Sequence, residues 1–326
     1  MKKRDLLHLI DYSNKTCTID GCIYELKDTD FPTVDPKNPY ALTEEEKQVI
    51  DRLKNSFRQS FKLQEHIRFI FSKGSMYKIY NDNLLYHGCI LMNEDGSFKK
   101  INLEGQEYYG KAYLDKLEEI VREGYFNQVD PIKKHKAQEV MWYLWCGRYS
   151  PLFGKDKMAT FEKYFIKEQK PKEEKSNAYY NLLVSKELAN TIFDDFKMKK
   201  DESHIINGHV PVKVKKGETP IKAEGKIIVI DGGFTKAYQK ITGIAGYTLI
   251  YNSYGLQLAS HQPFEGVEKA IASENDIVST VNIIEYVPQR KMVKDTDIGK
   301  NIASQIQALL TLVDYYRLGL IKEKEM

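Results

Sequence analysis

The sequence predicts a mixed α/β protein whose polar site residues follow the ends of apolar strands. Three short apolar runs stop at polar residues, one at His87, one at Gly208-His209 and one at Asp231. Functional groups of open α/β sheets lie just beyond the carboxyl ends of strands, so we expect these residues at the ends of neighbouring strands. The glycine beside each histidine, Gly88 or Gly208, lets the backbone approach a ligand closely. Since neutral imidazole is the commonest metal ligand, we expect both rings within about 8 Å of each other.

Composition narrows the class of protein. A chain of 326 residues is long enough for two domains or for one large core with insertions. Its 49 Lys+Arg against 46 Asp+Glu leave a charge of +3, too close to neutral for a nucleic-acid or anionic-membrane partner. Apolar runs are too short for a membrane span, and the start has no signal-peptide pattern. Four cysteines at unrelated spacings indicate unpaired thiols in a reduced, cytoplasmic setting.

Turn residues between apolar runs predict three strand pairs. Strands at 16–19 and 22–26 flank Asp20-Gly21, a two-residue turn signal. Strands at 76–80 and 84–87 flank a three-residue turn, Asn81-Asp82-Asn83. A strand within 242–252 has a natural antiparallel partner at 256–261.

Apolar residues at helical spacing predict the helices. Thr43 and Glu46 have the spacing of a capping box, and the apolar stripe that follows predicts one long helix to about Phe71, ended by Gly74. Ser185 is a predicted N-cap for a helix to about Lys197. The same spacing predicts further helices at 113–125, 136–146, 158–166 and 297–318.

The loop at 145–155 places two basic side chains, Arg148 and Lys155, between aromatic residues and glycines. One interpretation is an anion-binding loop, since both side chains can neutralise phosphate oxygens. The other is a packed connector whose aromatic residues belong to the core. The residues of the loop leave both interpretations open.

Several longer segments resemble a known family. In chain order they are Met141-Trp142-Tyr143-Leu144-Trp145, Leu152-Phe153-Gly154-Lys155, Thr160-Phe161-Glu162-Lys163-Tyr164-Phe165, Asp231-Gly232-Gly233-Phe234-Thr235-Lys236-Ala237-Tyr238 and Thr242-Gly243-Ile244-Ala245-Gly246-Tyr247-Thr248-Leu249. With the two histidine corners they resemble the Firmicutes-type class 3 fructose-1,6-bisphosphatase of the calcineurin-like metallophosphoesterase superfamily. The resemblance runs over nearly the whole chain and implies part of an αββα sandwich with helical insertions, including a helical cap at 105–200.

The resemblance also implies a function and site residues. The family is a gluconeogenic phosphatase that uses a two-metal site, usually with Mn²⁺, to remove the 1-phosphate from fructose 1,6-bisphosphate. His87 and His209 match the two late histidine ligands of the superfamily, both on one metal. Arg148, Lys155 and Lys236 are predicted to contact the substrate phosphates. Asp231 is predicted, with Gly88 and Gly208, to support the site.

The chain also departs from the superfamily pattern. The early motifs, Asp-x-His, Gly-Asp-x-x-Asp-Arg and Gly-Asn-His-Asp/Glu, do not occur in it. In the superfamily these motifs supply the other metal ligands and the catalytic histidine. Residues 1–326 are therefore expected to be the carboxyl-terminal part of the catalytic domain. A truncated or split reading frame, or an internal start, would explain such a chain. We then expect little activity from the chain alone, an uncovered apolar face, and either the amino-terminal half or a second copy as partner.

Two alternatives remain at this point. One is a minimal but complete phosphatase that uses other carboxylates, such as Asp231, as metal ligands. The other is a non-catalytic domain that binds sugar phosphates or proteins. Retained sugar-phosphate binding without turnover would favour the second alternative.

Overall fold

The computed structural model describes residues 4–233, 235–274 and 278–322. The chain forms two compact units, the first from residues 1–76 and 88–181 and the second from residues 77–87 and 182–326. The elements before residue 130 are β1 (Ile10–Asp11), β2 (Thr16–Ile19), β3 (Cys22–Glu25), α1 (Glu44–Gln59), α2 (Phe61–Lys73), β4 (Tyr77–Tyr80), β5 (Asn83–Tyr86), β6 (Ile101–Leu103), β7 (Gln106–Tyr108) and α3 (Gly110–Phe126). Those after it are α4 (Pro131–Cys146), α5 (Phe161–Phe165), α6 (Tyr179–Leu182), α7 (Lys186–Asp195), β8 (His204–Asn207), β9 (Ile221–Lys222), β10 (Ile227–Val229), α8 (Lys236–Thr242), β11 (Gly246–Asn252), β12 (Gly255–His261), α9 (Val267–Ser273), β13 (Ser279–Tyr286) and α10 (Asp297–Arg317).

The sheet that positions the site lies in the second unit and has the strand order β4-β5-β8-β10-β9. Strands β5, β8 and β10 are parallel neighbours at its centre, and the two outer strands are antiparallel to them. Every residue of β8 and β10 is buried, which explains their near-continuous apolar runs. The prediction of a mixed α/β chain with its polar residues after neighbouring strands is confirmed.

The predicted hairpins form, with one change of turn length. Asp20 and Gly21 both have positive φ, and Ile19 pairs with Cys22 across a two-residue turn. In the second hairpin Tyr80 pairs with Asn83, so the three-residue turn predicted there is wrong. Two consecutive residues with positive φ, Asn81 and Asp82, make that turn, because short polar side chains tolerate the left-handed region.

The single long helix predicted from Thr43 to about Phe71 is wrong, because the helix is broken at Ser60. The backbone of Ser60 is extended, and its hydroxyl accepts a hydrogen bond from the Leu63 N–H, so it caps α2. The predicted capping box is confirmed: Thr43 Oγ accepts from Glu46 N–H (3.2 Å) and Glu46 Oε2 accepts from Thr43 N–H (2.8 Å). Gly74 follows the last residue of α2, as predicted.

Other elements differ from the predictions mainly at their boundaries. Helix α4 begins at Pro131 because the Asp130 carboxylate caps the N–H groups of the first turn. Helix α5 is shorter than the predicted 158–166 segment, whereas α7 begins after Ser185 as predicted. Strands β11 and β12 pair as expected, and β13, which was not predicted from the sequence, completes a three-stranded sheet with them.

Several helices present large apolar side chains to solvent, as expected from an uncovered apolar face. Helices α1 and α2 bury none of their residues, and α10 buries only Gly299. The exposed side chains of α10 include Ile298, Ile302, Ile306, Leu309, Leu310, Val313 and Tyr316. Within the described ranges no helix is both long and apolar enough to cross a membrane.

Candidate metal centre and cationic cavity

The two predicted histidine corners meet in the second unit. His87 follows β5 and His209 follows Gly208 at the end of β8, its parallel neighbour. The Gly208 N–H donates a hydrogen bond to the His87 carbonyl oxygen (3.0 Å), which joins the two strand ends. His209 has a φ of 69°, a left-handed conformation that is uncommon for a residue with a side chain and is concentrated at functional sites.

The two imidazoles lie close enough to share a ligand. His87 Nε2 is 3.0 Å from His209 Nδ1, the ring centroids are 4.9 Å apart, and the ring planes are inclined by 68°. The expected proximity is therefore confirmed. Two metal–nitrogen bonds of about 2 Å each can span this separation, and a hydrogen bond between two neutral imidazoles fits it as well. Metal ligation by these rings stays a prediction.

The surroundings of His87 favour an uncharged ring. Burial lowers the pKa of His87, and the neighbouring His209 lowers it further, while Asp231 acts in the opposite direction. A depressed pKa leaves the imidazole lone pair available near neutral pH, which metal binding requires.

Asp231 lies beside the histidine corners but does not complete a metal site with them. A Cβ at Gly208 would be 3.7 Å from the Asp231 Cβ, so the residues that follow β8 and β10 are adjacent. The carboxylate accepts a hydrogen bond from the Gly233 N–H (2.9 Å), as expected for a residue that ends its strand locally. No group of three or more His, Cys, Asp or Glu side chains suited to a metal occurs among the described residues. The alternative of a complete minimal site built with Asp231 therefore gains no support.

Gly88 has a backbone role in the first unit. Cys89 N–H donates to the Pro151 carbonyl oxygen (2.9 Å), and a Cβ at Gly88 would lie only 2.3 Å from that oxygen. Only glycine allows this approach of the two chains. The glycine thus shapes the chain just after His87 without itself being a ligand.

The structure brings two of the three predicted phosphate-binding residues together. Arg148 and Lys155 line one cavity of about 260 Å³ in the first unit. Lys236 is the first residue of α8 in the second unit, and its side chain is exposed. Phosphate contact stays a prediction for all three.

Two further cations of this cavity were not predicted from the sequence. Lys99 and Lys175 also line it, although they lie far from Arg148 along the chain. The segment 167–175 consists mostly of charged residues, which is typical of a solvated connector, and no local pattern predicts that Lys175 lines a cavity. Three-dimensional proximity is the signal that identifies these residues.

The family model and the relatives that match this chain carry the same enzyme name. The family model described as "Firmicute fructose-1,6-bisphosphatase" matches residues 1–318. The chain is 56% identical over 326 residues to the class 3 fructose-1,6-bisphosphatase of Alkaliphilus metalliredigens, covering 99% of this chain and 49% of that protein. It is 54% identical over 318 residues to the enzyme of the same name from Clostridium tetani, covering 98% of this chain and 48% of the relative. With the Clostridioides difficile enzyme the identity is 54% over 323 residues, and the coverage is 99% and 49%.

The chain spans about half the length of the curated relatives that it matches. No solved structure matches it.

Proposed function

Because the chain belongs to the Firmicute fructose-1,6-bisphosphatase family, we propose that it forms part of a phosphatase that removes the 1-phosphate from fructose 1,6-bisphosphate. The support is the family match over residues 1–318 together with the paired imidazoles at two neighbouring strand ends. The observation that carries the proposal at the level of chemistry is the 3.0 Å separation of His87 Nε2 and His209 Nδ1.

The two histidines are proposed to bind one Mn²⁺ ion of a two-metal centre. When bound, such ions polarise the phosphoryl oxygen and activate the attacking water. The Gly208 N–H to His87 O hydrogen bond joins the two strand ends that carry the rings, and burial lowers the pKa of His87, which favours its uncharged form. Asp231 adds negative charge near the rings while its carboxylate stays bonded to the Gly233 N–H.

The chain by itself is proposed to have little or no turnover. Of the superfamily ligands it supplies only His87 and His209, and a site for a divalent ion normally needs four to six. A positioned acid or base, here the histidine of the Gly-Asn-His motif, is worth about 10²–10⁴-fold in rate. We place the chain in the carboxyl-terminal half of the family enzyme, because its two histidines match the late ligands of the superfamily.

The proposed partner is a polypeptide that corresponds to the rest of the relatives' length. The relatives named above are about twice as long as the region that this chain matches in them. Helix α10, which lies inside the region matched by the family model, has an exposed apolar stripe. Apolar patches of this kind mark interaction surfaces. Self-association through the same stripe is the competing outcome, and the oligomeric state of the isolated chain separates the two.

The test is phosphate release from fructose 1,6-bisphosphate during a Mn²⁺ titration. The chain is assayed alone and with the portion of the Alkaliphilus metalliredigens enzyme that it does not match. We expect turnover only in the mixture, and its loss in His87→Ala, because that variant lacks one of the two proposed ligands of the metal. His135→Ala is the matched control, because His135 is an exposed side chain on α4. Robust turnover by the chain alone that survives His87→Ala would refute the proposal.

A non-catalytic sugar-phosphate-binding domain is the second candidate function. The cationic cavity lined by Arg148 and Lys155 is the observation that favours it. Binding of fructose 1,6-bisphosphate by the chain, with no turnover in any mixture and no dependence on Mn²⁺, would support this candidate over the first.

A further inference from the structure

We propose that the cavity of the first unit is a binding site for a small phosphate-bearing molecule, held by Arg148, Lys99 and Lys175. The inference names the ligand-binding residues of the cavity on which the second candidate function rests, and it does not depend on the proposed phosphatase activity. It also changes the expected ligand set, since Lys155 becomes a structural residue and two lysines that the sequence did not indicate take its place.

The cavity has the size of a small-molecule site. Its volume is about 260 Å³, slightly below the roughly 300–1,000 Å³ typical of pockets for drug-sized ligands. Three stretches of the first unit form its walls, residues 92–99, 148–156 and 175–178. A metabolite with one sugar ring suits this volume better than a nucleotide or a peptide.

The walls are held together by hydrogen bonds that do not involve a ligand. Asn177 Oδ1 accepts from the N–H groups of Met92 and Tyr179, both at 3.0 Å, and its Nδ2 donates to the Met92 carbonyl oxygen (3.3 Å). An antiparallel bridge joins Lys155 and Ser176. Because these bonds hold the walls before a ligand arrives, binding requires little further ordering of the backbone.

The side chains that line the cavity carry an excess of positive charge. Lys99, Arg148, Lys155 and Lys175 line it, against the two carboxylates of Glu94 and Asp156. A ligand that carries negative charge is therefore favoured over a neutral sugar.

Lys155 is already neutralised by a carboxylate. Its Nζ lies 2.8 Å from Glu174 Oε2, and Lys163 Nζ lies 2.6 Å from Glu174 Oε1. Burial opposes ionisation of Glu174, but the hydrogen bonds from the two lysines lower the pKa of that carboxyl to about 2. Lys155 therefore remains engaged with Glu174 across the physiological pH range.

The other three cations are open to a ligand. Across the described ranges, no ion pair within 4.0 Å involves Lys99, Arg148 or Lys175. The Arg148 guanidinium carbon is 5.7 Å from the centroid of the Tyr149 ring, which limits its range of positions. A guanidinium can bind two phosphate oxygens at once, and the lysines add positive charge from other walls, so a phosphate group matches the site.

The experiment measures binding by calorimetry on the whole chain in EDTA, so that metal-dependent binding at the histidine pair does not contribute. The probes are fructose 1,6-bisphosphate, fructose 6-phosphate, inorganic phosphate and fructose. We expect saturable binding of both sugar phosphates, weaker binding of inorganic phosphate and none of fructose. Phosphate binding equal to that of the sugar phosphates would overturn the assignment to a phosphorylated metabolite.

Matched variants assign the binding to the cavity. Lys99→Gln/Arg148→Gln/Lys175→Gln should weaken sugar-phosphate binding at least tenfold, whereas Arg58→Gln/Lys134→Gln/Lys136→Gln, with the same charge change outside the cavity, should not. Thermal unfolding of each variant verifies that it folds. Lys155→Gln should weaken binding less than Arg148→Gln. Equal losses in the two triple variants, or no saturable binding by the native chain, would refute the proposal. A different result separates this proposal from the proposed function. If the native chain binds sugar phosphates but has no phosphatase activity when mixed with the complementary polypeptide, the proposed function fails and the binding site stands.

Discussion

The central sheet and helix α10 contain the same kinds of apolar side chain in opposite environments. Leu84 of β5 and Ile228 of β10 are fully buried, whereas Ile306 and Leu309 of α10 are 53% and 62% exposed. Both sets follow the periodicity of their element. Apolar periodicity therefore predicts the type of element, whereas burial depends on whether the described part of the chain supplies a neighbour that covers the apolar side chains.

The apolar residues of α10 have an ordered spacing. Ile302, Ile306, Leu309, Val313 and Tyr316 recur at alternating intervals of four and three residues, and all are exposed. This is the spacing of a helix seam that packs against another helix. The exposed stripe is therefore organised as a contact surface, in line with the proposed partner.

The largest expected difference is in stability. Ile228→Ala should lower the free energy of unfolding by about 2–5 kcal/mol, because it leaves a cavity in the core. Ile306→Ala should change it by no more than about 0.5 kcal/mol, since that side chain is exposed. Urea denaturation of the isolated chain measures both. Similar losses for the two variants would show that α10 is packed in the isolated protein.

The next largest effect is on association with the complementary polypeptide. Ile306→Glu/Leu309→Glu should weaken it at least about tenfold, because two charges would enter an apolar interface. Gln305→Glu/Gln307→Glu adds the same charge to the same helix outside the 4–3 stripe and serves as control. Analytical ultracentrifugation with and without the complementary polypeptide gives the result. If both double variants behave like the native chain, α10 is not the contact surface.

Capping should matter differently on a buried and on an exposed helix. Ser185→Ala should lower global stability by about 1 kcal/mol, because α7 buries Leu188, Ala189, Ile192 and Phe193. Thr43→Ala should instead speed hydrogen exchange within α1 with little global effect, since α1 buries no residue. Amide exchange resolved by residue distinguishes the two. Global destabilisation by Thr43→Ala would contradict the contrast.

The smallest effect is a pH dependence of the buried sheet. Burial lowers the pKa of His204, so the unfolded chain binds a proton that the folded chain resists. The contribution of uncharged His204 to the free energy of unfolding should therefore be fully present above about pH 6.5 and decline as the pH falls below it. His204→Gln should reduce the decline measured by urea denaturation at pH 7.5 and 5.5. His66→Gln, on an exposed helix face, should leave it unchanged, and an equal decline in all three proteins would exclude His204 as the cause.

Local chemistry determined the elements and the corners of the candidate site. The Asp20-Gly21 turn, the Thr43–Glu46 capping box and the Ser185 cap depend on residues a few positions apart, and each forms as predicted. The pairing of His87 with His209 was also predictable, because each ends an apolar run and parallel strands bring their carboxyl ends to one edge.

Only the tertiary structure decided the exposure of α10 and the lining of the cationic cavity. The break at Ser60, by contrast, is local, because its extended backbone and its hydroxyl, which accepts from the Leu63 N–H, make it the N-cap of α2. Lys99, Arg148 and Lys175 are separated by dozens of positions, and no spacing rule connects them. Turns and caps form from contacts between residues near in sequence, whereas burial and cavity lining depend on contacts between distant residues, which only the folded chain brings together.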